Sequence, residues 1–141
     1  MRFMVIVQGT AEAERELKAE DQEALAAMGR FNEEMVKAGI VLAAEGLHAT
    51  SKGARLNFGA GGKRTVIDGP FTESKELVAG FWLLQTKTRE ECIEWMKRAP
   101  FEPGTTLEIR QVHEAEDCAA ADPTGEIRAQ EKRQREKIAS R

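Results

Sequence analysis

The spacing of apolar residues divides the first third of the chain into a strand, a helix and a second strand. Residues 1–9 alternate apolar and polar positions before a glycine, which is typical of a β-strand. Four apolar residues then recur at intervals of three and four positions: Leu25, Met28, Phe31 and Met35. This period predicts a helix with Asp21 as its N-cap and Gly39 as its C-terminal stop. Residues 40–44 predict the second strand.

The middle and later parts of the chain predict a hairpin, a buried strand, a helix and a last strand. Residues 54–58 and 64–68 are the arms of the hairpin, because the segment between them is rich in glycine. Residues 78–85 are almost continuously apolar, as expected of a central strand buried on both faces. Thr88 and Glu91 form a capping box that opens a helix, and residues 106–112 alternate as a half-buried strand.

This order of elements predicts an α+β fold on a ferredoxin-like split βαβ plan with an added hairpin. The sheet is expected to be antiparallel, with both helices on one face. The buried strand nevertheless offers apolar side chains to both faces, so something must cover the other one. A second copy of the same sheet is the simplest cover, and we therefore expect a homodimer.

The end of the chain differs in character and predicts a separate extension. Residues 1–113 form the expected domain. Residues 114–141 predict a charged, helical extension in which residues 123–125 break the chain. Ile127 and Ile138 are its only large aliphatic residues from position 126 onward, too few for an apolar stripe. Its basic and acidic residues are interleaved, which favours a solvated helix over a nucleic-acid arm.

Composition and charge exclude several classes of function. A chain of 141 residues with 41% hydrophobic and 32% charged residues suits one globular domain. Its net charge of -3 gives no overall attraction to nucleic acid or to an anionic membrane. No apolar run approaches the roughly 20 residues that span a bilayer, and the N-terminus lacks the apolar stretch of a signal peptide. We expect a cytoplasmic protein without membrane or direct nucleic-acid partners.

The strongest candidate for chemistry is Asp68, which precedes Gly69 and Pro70 at the end of a predicted strand. The Gly-Pro turn would hold the carboxylate in place beside Phe71, as suits a general base or a ligand anchor. A structural alternative stays open, in which Asp68 accepts hydrogen bonds from the amides of its own turn and Phe71 fills the core.

Other candidates are weaker, and no cofactor is implied. His48 is a second candidate for acid–base work, and the expected ligand contacts are Glu45, Phe71, Phe81, Trp82 and Arg110. No spacing of ligands supports a metal site, and no phosphate-loop, hydrolase or dinucleotide fingerprint is present. Cys92 and Cys118 predict free thiols, Cys92 as a small core residue of the second helix.

Several segments carry a resemblance to a known family. Residues 68–76, Asp-Gly-Pro-Phe-Thr-Glu-Ser-Lys-Glu, resemble the signature of the DGPF-domain proteins, a branch of the YCII-related family. Four further segments are similar to that family: residues 45–47, 80–81, 94–100 and 108–110. The resemblance covers about residues 1–113 and implies a dimeric α/β barrel. The YCII branch has a proposed His-Asp pair with its histidine on the first helix, but Met28 stands near that position here.

Two hypotheses of function follow. In the first, the protein binds or transforms a small molecule in a cleft near Asp68. In the second, it is a non-catalytic interaction or regulatory protein, because DGPF proteins also occur with sigma-factor-type transcription proteins. A pocket with a perturbed Asp68 would favour the first, and an Asp68 satisfied by its turn amides would favour the second.

Overall fold

The computed structural model describes residues 1–10, 13–71 and 76–141 of the chain. They divide into two units, Met1–Gln111 and Val112–Arg141. None of the helices within these described ranges is long and apolar enough to cross a bilayer.

The first unit contains the elements that the periodicity predicts. In chain order they are β1 (Arg2–Gly9), α1 (Gln22–Lys37), β2 (Val41–Gly46), β3 (Ala54–Phe58), β4 (Arg64–Asp68), β5 (Leu77–Gln85), α2 (Arg89–Met96) and β6 (Thr106–Gln111). The hairpin strands β3 and β4 have the predicted bounds, and Gly39 follows α1 with a φ of 74°. The prediction of a mixed α+β fold is therefore confirmed.

The strands form a four-stranded antiparallel sheet in the order β2-β5-β1-β6, beside a two-stranded sheet of β3 and β4. Helix α1 connects β1 to β2, and α2 connects β5 to β6. Each connection therefore skips the strand that lies between the two it joins, as the split βαβ plan requires.

Both helices pack on one face of the large sheet. The core comprises alternate residues of two central strands with apolar residues of both helices: Phe3, Val5, Trp82, Leu84, Phe31, Met35, Cys92 and Met96, together with Ile40. Since side chains alternate along a strand, all these positions of β1 and β5 face the helices.

The opposite face of the sheet, called here the second face, carries apolar side chains as well. Met4 lies across from Leu83, and Ile6 lies across from Phe81. All of these side chains are half-buried rather than buried. The continuous apolar pattern of β5 thus reflects one buried face and one half-buried face in a single chain.

The two predicted helix starts have different outcomes. Thr88 caps α2 as predicted, since its hydroxyl accepts a hydrogen bond of 3.1 Å from the Glu91 amide. The other half of the predicted capping box is not formed, because the Glu91 carboxylate accepts a hydrogen bond of 2.9 Å from the Lys87 amide instead.

Asp21 occupies the predicted N-cap position of α1, but its side chain makes no capping hydrogen bond. Its carboxylate accepts hydrogen bonds from the Arg15 guanidinium (2.7 and 2.9 Å) and from the Lys18 amide (2.8 Å) instead. The Arg15 contact is the main reason that the pKa of Asp21 is lowered.

The second unit is organised around a buried carboxylate. It contains a 3-10 segment, Ala115–Ala121, and a helix α3 (Glu126–Ala139), in agreement with the predicted helix. Asp122 is 4% exposed and accepts hydrogen bonds from the amides of Ile127 (3.2 Å) and Arg128 (3.0 Å). The Arg128 guanidinium Nε donates to the same carboxylate at 3.0 Å. Asp122 therefore satisfies free amides in the first turn of α3.

The start of α3 is expected to loosen in acid. The Arg128 amide, followed by the Ile127 amide and the Arg128 side chain, holds the pKa of Asp122 below its usual value. A lowered pKa contributes stability above the unfolded-state value of about 3.9, and this is lost as the pH falls through the lower folded-state value. We expect the amide signals of Ile127 and Arg128 in NMR spectra to shift toward disordered positions over that range. In Asp122→Asn they should be shifted already at pH 7, and identical titrations of the two proteins would contradict this role.

Candidate functional site

An apolar cavity lies between α1 and the β2–β5 side of the sheet. Its volume is about 440 Å³, and it is bordered by residues 79–81 of β5 and by Gly46 of β2. Its wall is apolar apart from Asn32 and Glu45, the remaining side chains being Val7, Leu17, Leu25, Met28, Ala44, Trp82 and Phe101. The size is that of a cavity for a small organic molecule.

Trp82 and Asn32 form the polar point in this wall. The indole Nε1 of Trp82 donates a hydrogen bond of 2.9 Å to Oδ1 of Asn32. Trp82 is 5% exposed and makes edge-to-face contacts with Phe31 (6.3 Å between centroids) and Phe101 (6.0 Å). Because an indole nitrogen only donates, it fixes which way the Asn32 amide is turned. The amide nitrogen of Asn32 remains available as a donor to a bound molecule.

Three of the predicted ligand contacts border this cavity: Glu45, Phe81 and Trp82. Glu45 and Phe81 lie directly across from one another in the β2–β5 pair, one residue out of phase with Trp82. Since side chains alternate, those of Glu45 and Phe81 lie on the second face. It is therefore their backbone atoms that border the cavity. A direct role for the side chains of Glu45 and Phe81 in binding stays a prediction.

His48 lies at a smaller cavity of about 110 Å³ next to the start of β5. That cavity is also bordered by Thr10, Glu14, Arg15 and Leu77. Its volume lies below the roughly 300–1,000 Å³ of typical ligand pockets. The side chain of His48 is exposed, so its predicted catalytic role is not supported by a confined site.

The turn that follows Asp68 packs against the loop between β2 and β3. The amide of Gly69 donates to the Gly53 carbonyl at 3.0 Å, and the amide of Phe71 donates to the Thr50 hydroxyl at 3.1 Å. Thr50 in turn donates to the Glu14 carboxylate through its hydroxyl (2.7 Å) and its amide (3.0 Å). The first part of the signature therefore has a structural function. The Thr-Glu-Ser-Lys part, residues 72–75, lies outside the described residues.

Asp68 itself is exposed at the end of β4 and borders neither of these two cavities. Within the described ranges, its carboxylate has no hydrogen-bond partner, so the expected bonds from turn amides are not found there. Phe71 is half-buried, and the Arg55 guanidinium lies 3.9 Å from its ring centroid. Arg110 is exposed on β6 and lies 3.4 Å from the Glu108 carboxylate. The structure thus separates Asp68, Phe71 and Arg110 from the larger cavity.

The sequence model of the YCII-related domain matches residues 1–116. The chain belongs to the YCII-related family. A comparison with curated proteins finds no match. In this YCII-related protein, Met28 lines the larger cavity near the position at which the resemblance implies a histidine. The thioether of Met28 cannot transfer a proton, so the proposed His-Asp pair does not carry over.

The two cysteines of this YCII-related protein lie in no built site among the described residues. Cys92 is buried in the core, where burial raises the pKa of its thiol, and Cys118 is an exposed free cysteine. A buried thiol with a raised pKa suits the predicted core role and not a nucleophile. In the described part of the chain, no group of three or more histidine, cysteine or acidic side chains is placed to hold a metal ion.

Two features of the candidate site of this YCII-related protein are not predicted by the sequence patterns. Asn32 is a polar residue beside the apolar stripe of α1, and its only signal is that a buried indole nearby needs an acceptor. The contact of Glu14 with Thr50 joins residues 36 positions apart. No local pattern indicates such a contact.

Proposed function

We propose that this YCII-related protein binds a small, largely apolar molecule in the cavity between α1 and the sheet. The observation that supports this most is the cavity of about 440 Å³, whose apolar wall holds an oriented Asn32 amide. Ligand sites of this kind combine a mainly apolar lining with few, well-placed polar groups. We place this activity in the cytoplasm and in a homodimer.

The wall of the cavity restricts the ligand. Oδ1 of Asn32 already accepts a hydrogen bond from the Trp82 indole, whereas its NH₂ group has no partner among the described residues and is the donor offered to a ligand. A partner for that donor is a neutral acceptor such as a carbonyl or ether oxygen. The described part of the wall offers a charged ligand no counter-charge, because the carboxylate of Glu45 is turned to the second face. We propose an apolar molecule that carries one neutral acceptor.

Binding is better supported than proton transfer. Glu45 is the one ionisable residue among the described lining residues, and the alternation of β2 turns its carboxylate to the second face. The catalytic roles of Asp68 and His48 remain predictions. Neither residue borders the larger cavity, and a general base must reach the proton that it removes.

The second face of the sheet supports the homodimer. Its central rows, Met4 with Leu83 and Ile6 with Phe81, are apolar and half-buried in one chain. Packing two such sheets face to face removes both surfaces from water at about 25 cal/mol per Å² of apolar area. We propose that two ferredoxin-like sheets meet in this way to form a dimeric α/β barrel.

A thermal-shift screen of neutral metabolites tests the site. A ligand that binds only the folded protein stabilises it by about 2.7 kcal/mol at a hundredfold excess over Kd. We expect a hit to raise the Tm of wild type and to lose most of that shift in Asn32→Asp. That change keeps an acceptor for the Trp82 indole but replaces the NH₂ donor with a charge.

Two further variants locate the effect. Asn57→Asp makes the same chemical change at an exposed position of β3, and the ligand shift should survive it. A hit that survives Asn32→Asp but is lost in Asp68→Asn would move the site to the end of β4. If no neutral compound shifts wild type, binding in this cavity is contradicted.

One observation favours the alternative of an interaction or regulatory protein. The hairpin exposes Leu56, Phe58, Val66 and Ile67, each between 42% and 71%. Exposed apolar clusters of this kind are typical of protein-binding surfaces. An accessory role in sigma-factor-type transcription rests on the family resemblance.

A further inference from the structure

The outer edge of β4 presents a set of backbone groups in a defined pattern. The Gly59 amide bonds the Lys63 carbonyl at 2.8 Å, and the Gly69 amide bonds the Gly53 carbonyl at 3.0 Å. These pairs bracket the hairpin, and pairs of an antiparallel ladder alternate between bonded and non-bonded. Consequently Arg64, Val66 and Asp68 turn their N–H and C=O groups away from β3.

This edge is accessible along its whole length. All residues of β3 and β4 are exposed, and Val66 is 65% exposed. A two-stranded ribbon has little stability alone, and an exposed edge with apolar side chains is a template for a further strand. The edge therefore suits the addition of a strand.

The sequence of β4 fits a second copy of itself. We propose that β4 pairs with β4 of another chain in antiparallel register about a two-fold axis at Val66. Val66 then meets its own equivalent, and Arg64 lies directly across from Asp68 of the second copy. Opposite charges in that position stabilise a sheet, and an interface of this kind is isologous. The pairing brings the Asp68 carboxylate next to a guanidinium of the second copy.

The register is specified by both backbone and charge. With the axis at Val66, the outward N–H and C=O groups of all three residues find partners in the other chain. With the axis at Thr65 or Ile67, one of these three residues lies beyond the segment in which the other two pair and loses its partner among them. Arg64 then no longer lies across from Asp68 of the second copy. The outer edge of β3 presents Ala54, Leu56 and Phe58, which offer no charge complementarity.

Arg64 is already held on the correct face. Its guanidinium lies 4.3 Å from the ring centroid of Phe58, the residue directly across the hairpin, and donates to the Lys63 carbonyl at 3.0 Å. Arg64, Val66 and Asp68 share one face of the ribbon, since they alternate along β4. The guanidinium keeps further donors for a carboxylate of the second copy.

Charge reversal tests the pairing through the mass of the protein in solution. Arg64→Asp and Asp68→Arg each place like charges across the axis, whereas the double variant restores opposite charges. In a Phe81→Ala background, which weakens the proposed dimer through the second face, we expect each single change to weaken association at least tenfold in sedimentation equilibrium and the double variant to recover it. Masses unaffected by the single changes, or no recovery in the double variant, would overturn the pairing. Circular dichroism checks that all three proteins fold.

A disulfide separates this interface from one on the second face. Cα atoms of a bonded antiparallel pair are about 5.5 Å apart, within the range of a disulfide. Val66→Cys in a Cys118→Ala background should therefore form a cross-linked dimer on a non-reducing gel. Arg64→Cys is the matched control, since its equivalents are offset by four residues, about 13 Å along the strands. Equal cross-linking of both, or none with Val66→Cys, would contradict the proposed register.

Discussion

Replacing Gly69 with alanine is expected to destabilise the protein by about 3 kcal/mol or to detach the hairpin from the rest of its unit. A Cβ atom on Gly69 would lie 1.7 Å from the carbonyl oxygen of Thr50 and 2.6 Å from its carbon. Both are backbone atoms, so no rotation of a side chain relieves the overlap. The turn must move, and the bonds from Gly69 to Gly53 and from Phe71 to Thr50 are then lost.

Gly53→Ala is the matched control for this change. Its Cβ would lie 3.5 Å from the same Thr50 oxygen, an ordinary contact, and its backbone is extended. Urea unfolding measures the global effect, and limited proteolysis between β3 and β4 detects local detachment. We expect Gly69→Ala to change at least one of the two and Gly53→Ala to change neither. If the two variants behave alike, the turn does not pack as described.

The fold was predictable where local patterns decide the structure. The glycine-rich segment between β3 and β4 and the period of α1 each indicate their element within a short window. Asp21 shows the limit of such rules. An acid before a helix favours a capping hydrogen bond to the first amides of the helix. The Asp21 carboxylate is instead bound by the Arg15 guanidinium and the Lys18 amide. Competition between partners is not visible in residue spacing.

The candidate site was predictable only in part, because it depends on contacts distant in sequence. The acid before Gly-Pro drew attention to Asp68, yet the structure ties the neighbouring Gly69 to Thr50 by close packing of backbone. Trp82 was expected in the site as an aromatic of the buried strand. Its partner Asn32 comes from α1, 50 positions away, and only the crossover of the chain brings the two together.

The apolar residues of β5 show why the structure of a single chain does not decide what covers the second face of the sheet. Trp82 and Leu84 are buried beneath the helices, whereas Phe81 and Leu83 are half-buried on the second face. The continuous apolar sequence of β5 indicates that both faces of the strand are shielded from water. It does not identify what packs against the second face. Substituting Trp82 tests packing inside one chain, whereas substituting its neighbour Phe81 tests the proposed interface between two chains.

Trp82→Ala is expected to cost about 3–5 kcal/mol of unfolding free energy at every protein concentration. The change removes the bond to Asn32 and the ring contacts with Phe31 and Phe101. All of these partners belong to the same chain, so the loss is independent of association. The measurement is urea unfolding at protein concentrations spanning about two orders of magnitude.

Phe81→Ala, one residue earlier, should behave differently if two sheets meet at the second face. Wild type is then expected to show a Tm that rises with protein concentration, because association stabilises the folded chain by mass action. In an Arg64→Asp background, which removes the proposed pairing of β4, Phe81→Ala should abolish that rise while lowering the Tm of dilute protein less than Trp82→Ala does. A wild-type Tm independent of concentration, with the mass of one chain in light scattering, would contradict the dimer. A concentration dependence that disappears in Arg64→Asp alone would assign all association to the edge of β4 and would contradict the dimer through the second face.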